Sequence, residues 1–279
     1  MSIFTNDTNS ILRLGVLGGK LAHTLSPKIH ADLLKQQGIR GTYEKYEMTR
    51  TEVDGLFSFM DENGITGLNV TLPYKEVLYH MVDVPDDAAE KIGAVNTILR
   101  KDGVSYGYNT DYIGVTSMFA KAGVDLSGKD VVILGSGGAS RALIYGFHQK
   151  DAKTITIAAR NEAAKRALKE SFPYIETSTL ENIPSGDVII NATPVGMYPN
   201  TGKSAVDAPV ISRFAIAADI VYNPLVTEFL RIAEENGLKI VTGLMMLVDQ
   251  AIGAEEIWLE KKLDYHMGNK IHDELAGRF

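Results

Sequence analysis

No cysteine occurs in the 279-residue chain, so disulfides, thiolate metal sites and thiol nucleophiles are excluded. Histidine is scarce as well. Six are scattered with no HExxH arrangement, which argues against a histidine metal site, and no metal is expected. No apolar run approaches the ~18 residues that a membrane-spanning helix needs. The opening MSIFTNDTNS lacks a basic stretch followed by an apolar core, so no secretory signal is expected and the default location is the cytoplasm. Positive charge is in deficit too. A formal net charge of −7 argues against a nucleic-acid partner or an anionic-membrane surface, while leaving room for a local basic pocket.

Hydrophobic residues make up 45% of the chain, enough for the cores of two ordinary domains. Short apolar runs predict strands at 12–17, 42–47, 67–72, 94–100, 104–109, 131–135, 154–159, 187–191, 215–220 and 239–242. Helical patterns lie between most of them. This alternation implies an α/β fold with mainly parallel sheets. The local exception is Asp102-Gly103, which reads as a tight hairpin turn because glycine accepts the positive φ needed there. A domain boundary is expected near residues 109–112, where Asp111 opens a helix and a new β-α-β series follows from Val131. The C-terminal stretch is helical: Leu247, Ala251, Ile252, Glu255 and Leu259 keep one spacing, and Trp258 widens the apolar face.

KDVVILGSGGASRALIYGFHQ, from Lys129, joins an apolar strand, a glycine turn and a helix. Gly135, Gly137 and Gly138 let backbone N–H groups approach a pyrophosphate, and the helix offers its positive N-terminus to that anion. Ser140 stands where a third glycine or alanine is usual. The next strand ends in Ala159-Arg160-Asn161, with Lys165 and Arg166 one turn on, where an NAD site would place an acid. A guanidinium there can pair with a 2′-phosphate that a carboxylate would repel, so NADP (NADPH/NADP+) is the expected cofactor. NATPVGM, from Asn191, follows another apolar strand, at the place where a fourth strand of such a sheet ends; by itself it reads as a turn.

The N-terminal half places polar groups at strand ends. Ser26 reads as an N-cap, Pro27 fits the first helical position and Gly38 closes the helix, which leaves Thr24 unexplained. Two hydroxyls beside a helix N-terminus can hold a carboxylate. In GLNVTLPYKE, Leu68, Val70 and Leu72 alternate like a buried strand, with Asn69 and Thr71 opposite and Lys75 at the strand tip, just past Pro73. Lys75, Asn96, Asn109 and Asp111 each have an ordinary structural explanation as solvated charge, turn residue or cap. Together they converge on the carboxyl-end crevice of an α/β domain, the usual ligand site.

The motifs GVLGGKLAHTLSPKIH, GLNVTLPYKE, IGAVNT, GYNTD, GSGGASRA, NATPVGM, DIVYNP and GLMMLVDQA occur in the order of the shikimate dehydrogenase family, which the chain resembles over nearly its whole length. The resemblance implies an N-terminal substrate domain (1–110) completed by C-terminal helices (244–279), and a Rossmann-type NADP-binding domain (111–243) between them. It implies reversible NADP-linked reduction of 3-dehydroshikimate to shikimate in aromatic amino-acid biosynthesis. By it, Lys75 and Asp111 are the catalytic pair. Thr24 and Ser26 hold the substrate carboxylate. Asn69, Thr71, Asn96 and Gln250 surround the ring hydroxyls, and Tyr222 approaches the same site. Gly135, Ser136, Gly137, Gly138, Ala139, Ser140, Arg141, Arg160, Thr193, Gly243 and Met246 are cofactor contacts. A small-molecule substrate is the expected partner, with a homodimer as the assembly. One departure is Thr24, where shikimate-specific members more often have serine. A broad quinate/shikimate dehydrogenase using NAD or NADP is the alternative. A catalytically silent NADP-binding protein and a folate-type dehydrogenase are more distant ones; the Thr24–Ser26 hydroxyl pair suits a small carboxylate better than a pterin.

Overall fold

The computed structural model describes residues 11–22 and 24–279. Twelve strands are assigned among them: β1 (Leu12–Gly18), β2 (Gly41–Glu47), β3 (Gly67–Val70), β4 (Val84–Pro85), β5 (Thr97–Lys101), β6 (Val104–Tyr108), β7 (Asp130–Leu134), β8 (Thr154–Ala158), β9 (Glu176–Ser178), β10 (Val188–Asn191), β11 (Ile216–Asp219) and β12 (Lys239–Val241). Ten correspond to the expected apolar runs. The other two, β4 and β9, are edge strands of only two and three residues, too short to show a hydrophobic period.

The chain divides into two compact units, Met1–Thr110 with Gln250–Ile271, and Asp111–Asp249 with His272–Phe279. The helix Leu244–Leu259 therefore begins in one unit and ends in the other. Among the described residues no helix is long and apolar enough to cross a membrane.

The first unit holds the sheet β2-β1-β3-β5-β6-β4. Its β2-β1-β3 half is parallel; β5 runs antiparallel to both β3 and β6. The β5–β6 hairpin turns through Asp102 (φ 51°) and Gly103 (φ 76°), the two positive-φ residues such a turn requires. Leu68, Val70 and Ile98 enter one core, while Leu12, Leu14 and Val16 pack with Trp258 and Leu259 in another. Trp258 is buried, and its indole Nε1 donates to Ile98 O at 2.9 Å.

The second unit holds the all-parallel sheet β12-β11-β10-β7-β8-β9. Read from β9, this is the third, second, first, fourth, fifth and sixth strand of the unit, the doubly wound Rossmann order. Its central strands β7 and β10 are buried and almost wholly apolar because both faces are covered. Along β7, Val131 and Ile133 enter one core, and Val132 and Leu134 the other.

Candidate active site

In the first unit, the loop after β1 is pinned from β2. Glu47 Oε1 accepts the Leu21 N–H at 2.6 Å, and Lys45 Nζ donates to Leu21 O at 3.0 Å. Thr24 and Ser26 follow at the start of the helix Ser26–Gln36. The expected N-cap is corrected here: Leu25 precedes the helix without a side-chain cap, and Ser26 is its first residue. The reason is Thr24, whose Oγ1 accepts the Ser26 N–H at 3.3 Å and donates to Ser26 Oγ at 3.2 Å. That also gives Thr24 its structural place.

From Tyr43 a network of hydrogen bonds runs through the unit. Tyr43 Oη donates to Asn69 Oδ1 at 2.7 Å. Asn69 Nδ2 donates to Thr97 Oγ1 and to Asn96 O, each at 3.2 Å. Thr97 Oγ1 donates to Asn96 Oδ1 at 3.0 Å, and Asn96 Nδ2 donates to Thr110 Oγ1 at 3.0 Å and to Gln250 Oε1 at 3.5 Å. Tyr43, Asn69, Asn96, Thr97, Thr110 and Gln250 are all buried. Polar side chains withdrawn from water must be paired in this way. Three residues singled out in the sequence (Asn69, Asn96 and Gln250) are thus joined with three that were not (Tyr43, Thr97 and Thr110).

Lys75 is not at a strand tip. Strand β3 ends at Val70, and Lys75 opens the short helix Lys75–Tyr79. Thr71 N–H still bonds Leu17 O at 2.9 Å, but Leu72 has left the sheet and is 73% exposed. The turn is held closely: a β-carbon on Gly18 would stand 2.7 Å from Thr71 Cγ2, and Gly19 N–H bonds Leu72 O at 3.1 Å. Lys75 O accepts the Val95 N–H at 3.0 Å, which ties the lysine's backbone to the segment carrying Asn96. The side chains of Lys75 and Thr71 are partly exposed. Asn109 is structural, its Nδ2 donating to Ala94 O at 2.9 Å.

In the second unit the glycine turn lies where the strand order reverses, between β7 and β10. Gly135 has φ 114°, and a β-carbon there would stand 2.9 Å from Thr193 Cγ2, so the glycine turn and the NATPVGM turn are in contact. Around Gly137 and Gly138 a β-carbon would meet nothing within 4 Å, and the helix Gly138–His148 starts without a side-chain cap. Uncapped N–H groups facing open space beside bare glycine backbone suit a pyrophosphate. Ser140 fits the third position because its Oγ is satisfied, donating to Gly135 O at 3.0 Å. Ser136 and Ala139 are partly exposed along this turn. Arg141 lies over the Phe172 ring at 5.9 Å.

Arg160 is exposed just beyond β8, with no acid beside it at the strand end. Asn161 caps the helix Glu162–Ser171 through Ala164 N–H. Lys165, by contrast, is buried and committed: its Nζ donates to Ser178 O at 2.8 Å and pairs with Glu162 at 2.7 Å. Asp111 opens the helix Asp111–Lys121 and is partly exposed. Gly243 is required, since a β-carbon would lie 2.5 Å from Ile220 O. Met246 packs against the core, and Tyr222 meets Phe279 edge-on at 6.1 Å, its phenol pKa raised by burial.

Behind Thr193 lies a buried carboxylate that the sequence reading passed over. Thr193 Oγ1 donates to Asn191 Oδ1 at 2.6 Å, and Asn191 Nδ2 reaches both Asp219 oxygens at 3.1 Å. Asp219 also accepts from Thr227 Oγ1 at 2.6 Å and Val221 N–H at 2.9 Å. Burial pushes its pKa up to about 6 against those three hydrogen-bonding partners. The acid at the end of an apolar strand, in DIVYNP, was the available signal.

Two family profiles match in sequence order. One, described as shikimate dehydrogenase substrate binding domain, covers residues 16–98; the other, described as shikimate / quinate 5-dehydrogenase, covers residues 118–208. Shikimate dehydrogenase (NADP(+)) of Clostridium perfringens (strain SM101 / Type A) is 43% identical, over 95% of this chain and 98% of the relative. The chain belongs to the shikimate dehydrogenase family. Among solved structures, shikimate dehydrogenase 1 from Peptoclostridium difficile is 41% identical with a TM-score of 0.87, over 95% of this chain and 98% of that one. The shikimate dehydrogenase family is also represented by the Thermus thermophilus enzyme, in complex with NADP(H) and shikimate. It is 32% identical with a TM-score of 0.86, over 95% and 99% of the two chains.

Proposed function

We propose that this chain catalyses the reversible, NADP-linked reduction of 3-dehydroshikimate to shikimate, within aromatic amino-acid biosynthesis. The observation that carries the reading is the chain of hydrogen bonds from Tyr43 through Asn69, Thr97 and Asn96 to Gln250 in the first unit, together with the Thr24–Ser26 hydroxyl pair. A small, hydroxylated carboxylic acid needs such a set of paired hydroxyl and amide groups. The first unit is then the substrate domain and the second the dinucleotide domain. The Clostridium perfringens relative is named for NADP(+), and the Thermus thermophilus complex holds both ligands.

In this reading Thr24 and Ser26 hold the substrate carboxylate. Asn69, Thr71, Asn96 and Gln250 hold the ring hydroxyls, with Tyr222 contributing to the same site. NADPH, when bound, supplies the hydride. Lys75 hydrogen-bonds the substrate carbonyl oxygen, stabilises the charge that builds there and delivers its proton, with Asp111 as the acid–base partner. The glycine turn from Gly135 to Arg141, with Thr193, Gly243 and Met246, holds the dinucleotide. Arg160 meets the 2′-phosphate. A cytoplasmic homodimer completes the proposal, and light scattering on the eluting protein tests the assembly.

The deciding experiment is a set of initial rates on shikimate and on quinate, each with NADP+ and with NAD+. Shikimate with NADP+ is expected to dominate. Comparable rates on quinate or with NAD+ would move the protein to the broad-specificity branch and make Thr24 the first residue to mutate.

A further inference from the structure

We propose that Tyr43 is a positioning residue for the substrate, fixing through its hydroxyl which end of the Asn69 amide faces the ring hydroxyls. The inference rests on the reading of Asn69 as a substrate ligand. Strand register makes the contact. Tyr43 on β2 pairs with Leu14 on β1, and Asn69 on β3 pairs with Val16 on β1. Leu14 and Val16 share one face of β1, so Tyr43 and Asn69 stand on that same face from opposite sides. The phenol spans β1 and reaches Asn69 Oδ1 at 2.7 Å.

The ring has little freedom to leave. It stacks on His30 with centroids 4.2 Å apart and planes within 6°. His30 is fully buried, and its Nδ1 lies 3.0 Å from Glu255 Oε1, whose partner oxygen accepts from Gln37 Nε2. Trp258 completes the cluster, 6.4 Å from the Tyr43 ring and 5.4 Å from His30. The single phenol hydrogen is directed at Asn69. Burial raises the Tyr43 pKa well above its ordinary value and keeps that hydrogen in place.

An amide is nearly symmetrical in shape but not in chemistry. With Oδ1 held by Tyr43, both Nδ2 hydrogens are spent on Asn96 O and Thr97 Oγ1, and Oδ1 keeps a second lone pair for a substrate hydroxyl. Without that hold, rotation of the amide would present a donor where a substrate hydroxyl needs an acceptor. Tyr43 thus acts on the substrate through Asn69.

Tyr43→Phe keeps the ring and its stacking and removes only the hydroxyl. Steady-state oxidation of shikimate by NADP+ should show KM for shikimate raised roughly 3- to 10-fold, the worth of one neutral hydrogen bond. KM for NADP+ should not move. Asn69→Ala should raise KM for shikimate as well, and adding Tyr43→Phe to it should raise KM no further. A Tyr43→Phe enzyme with unchanged KM for shikimate, whatever its melting temperature or kcat, would overturn the proposal. So would equal effects of Tyr43→Phe in both backgrounds. If Asn69→Ala leaves KM unchanged, the assignment of Asn69 to substrate falls first and the proposal with it, a result distinct from failure of Tyr43→Phe alone. Should Tyr43→Phe not fold, the double variant removes both partners of the bond. A KM equal to that of Asn69→Ala then supports the proposal, and a higher one overturns it.

Discussion

Asn191 offers its amide nitrogen to both carboxylate oxygens of Asp219, 3.1 Å from each, in the fully buried core of the second unit. The pair sets a pH dependence whose sign follows from burial. Asp219 has a pKa of about 6, raised from 3.8, so folding favours its protonated form. Its contribution to stability is fully present below pH ~4 and is lost as pH rises through ~6. The span is worth about 3 kcal/mol. Asp219→Asn removes the titration but leaves two amides facing each other, so the variant should be weaker overall. The stability gap between wild type and variant should narrow by that order between pH 4 and 6. Urea unfolding at pH 4, 5, 6 and 7 measures it; a gap independent of pH would contradict the assignment.

Gly67 carries a second prediction. A β-carbon there would stand 2.4 Å from Trp258 Nε1 and 2.6 Å from two neighbouring indole atoms. The indole cannot retreat without losing its bond to Ile98 O. Gly67→Ala should therefore destabilise the first unit by about 1–3 kcal/mol, the usual cost of overpacking. Trp258 is the one tryptophan in the chain, so its fluorescence reports the loss directly. An unchanged unfolding midpoint would show that the strand shifts freely.

Much of this architecture was legible because burial leaves a pattern. Strands covered on both faces, such as Val131–Leu134, must be apolar throughout, and strands β7, β8, β10 and β11 were readable for that reason. Val84–Pro85 and Glu176–Ser178 were not, because edge strands of two and three residues are held by backbone pairing and are too short to show a period. Alternation misled at Leu72. Its leucine continues the period of Leu68 and Val70, yet the chain turns away after Val70, and Lys75 begins a helix. Asn69 and Asn96 stood out as polar residues at strand ends. Tyr43 did not, because what marks it is a partner brought near by sheet register, and Asp219 offered only its place at the end of an apolar strand. A tyrosine in a strand carries no sign of which amide it meets.

Arg160 gives a prediction about cofactor choice. It is exposed beyond β8, and Lys165 is spent on Ser178 and Glu162, so Lys165 cannot replace it at a 2′-phosphate. Arg160→Ala should raise KM for NADP+ roughly tenfold or more, as loss of a charged hydrogen bond implies. KM for NAD+ should stay the same, because that ligand has no phosphate to lose. Equal changes for both dinucleotides would assign Arg160 to the fold of the strand end and leave the preference to another group.

Lys75 bears the chemical prediction. It opens a short helix, its carbonyl is tied to Val95, and its side chain is partly exposed. If it delivers the proton to the developing alkoxide, Lys75→Ala should lower kcat by about 10²- to 10⁴-fold, the usual contribution of general acid–base catalysis. KM for shikimate should change far less, because the carboxylate and ring hydroxyls are assigned to other residues. A group that only binds gives the reverse split, with KM raised and kcat kept. Unfolding of the variant checks that the Val95 bond, which uses only backbone, still holds the turn. A folded Lys75→Ala enzyme with near-normal kcat would remove the lysine from the proton transfer.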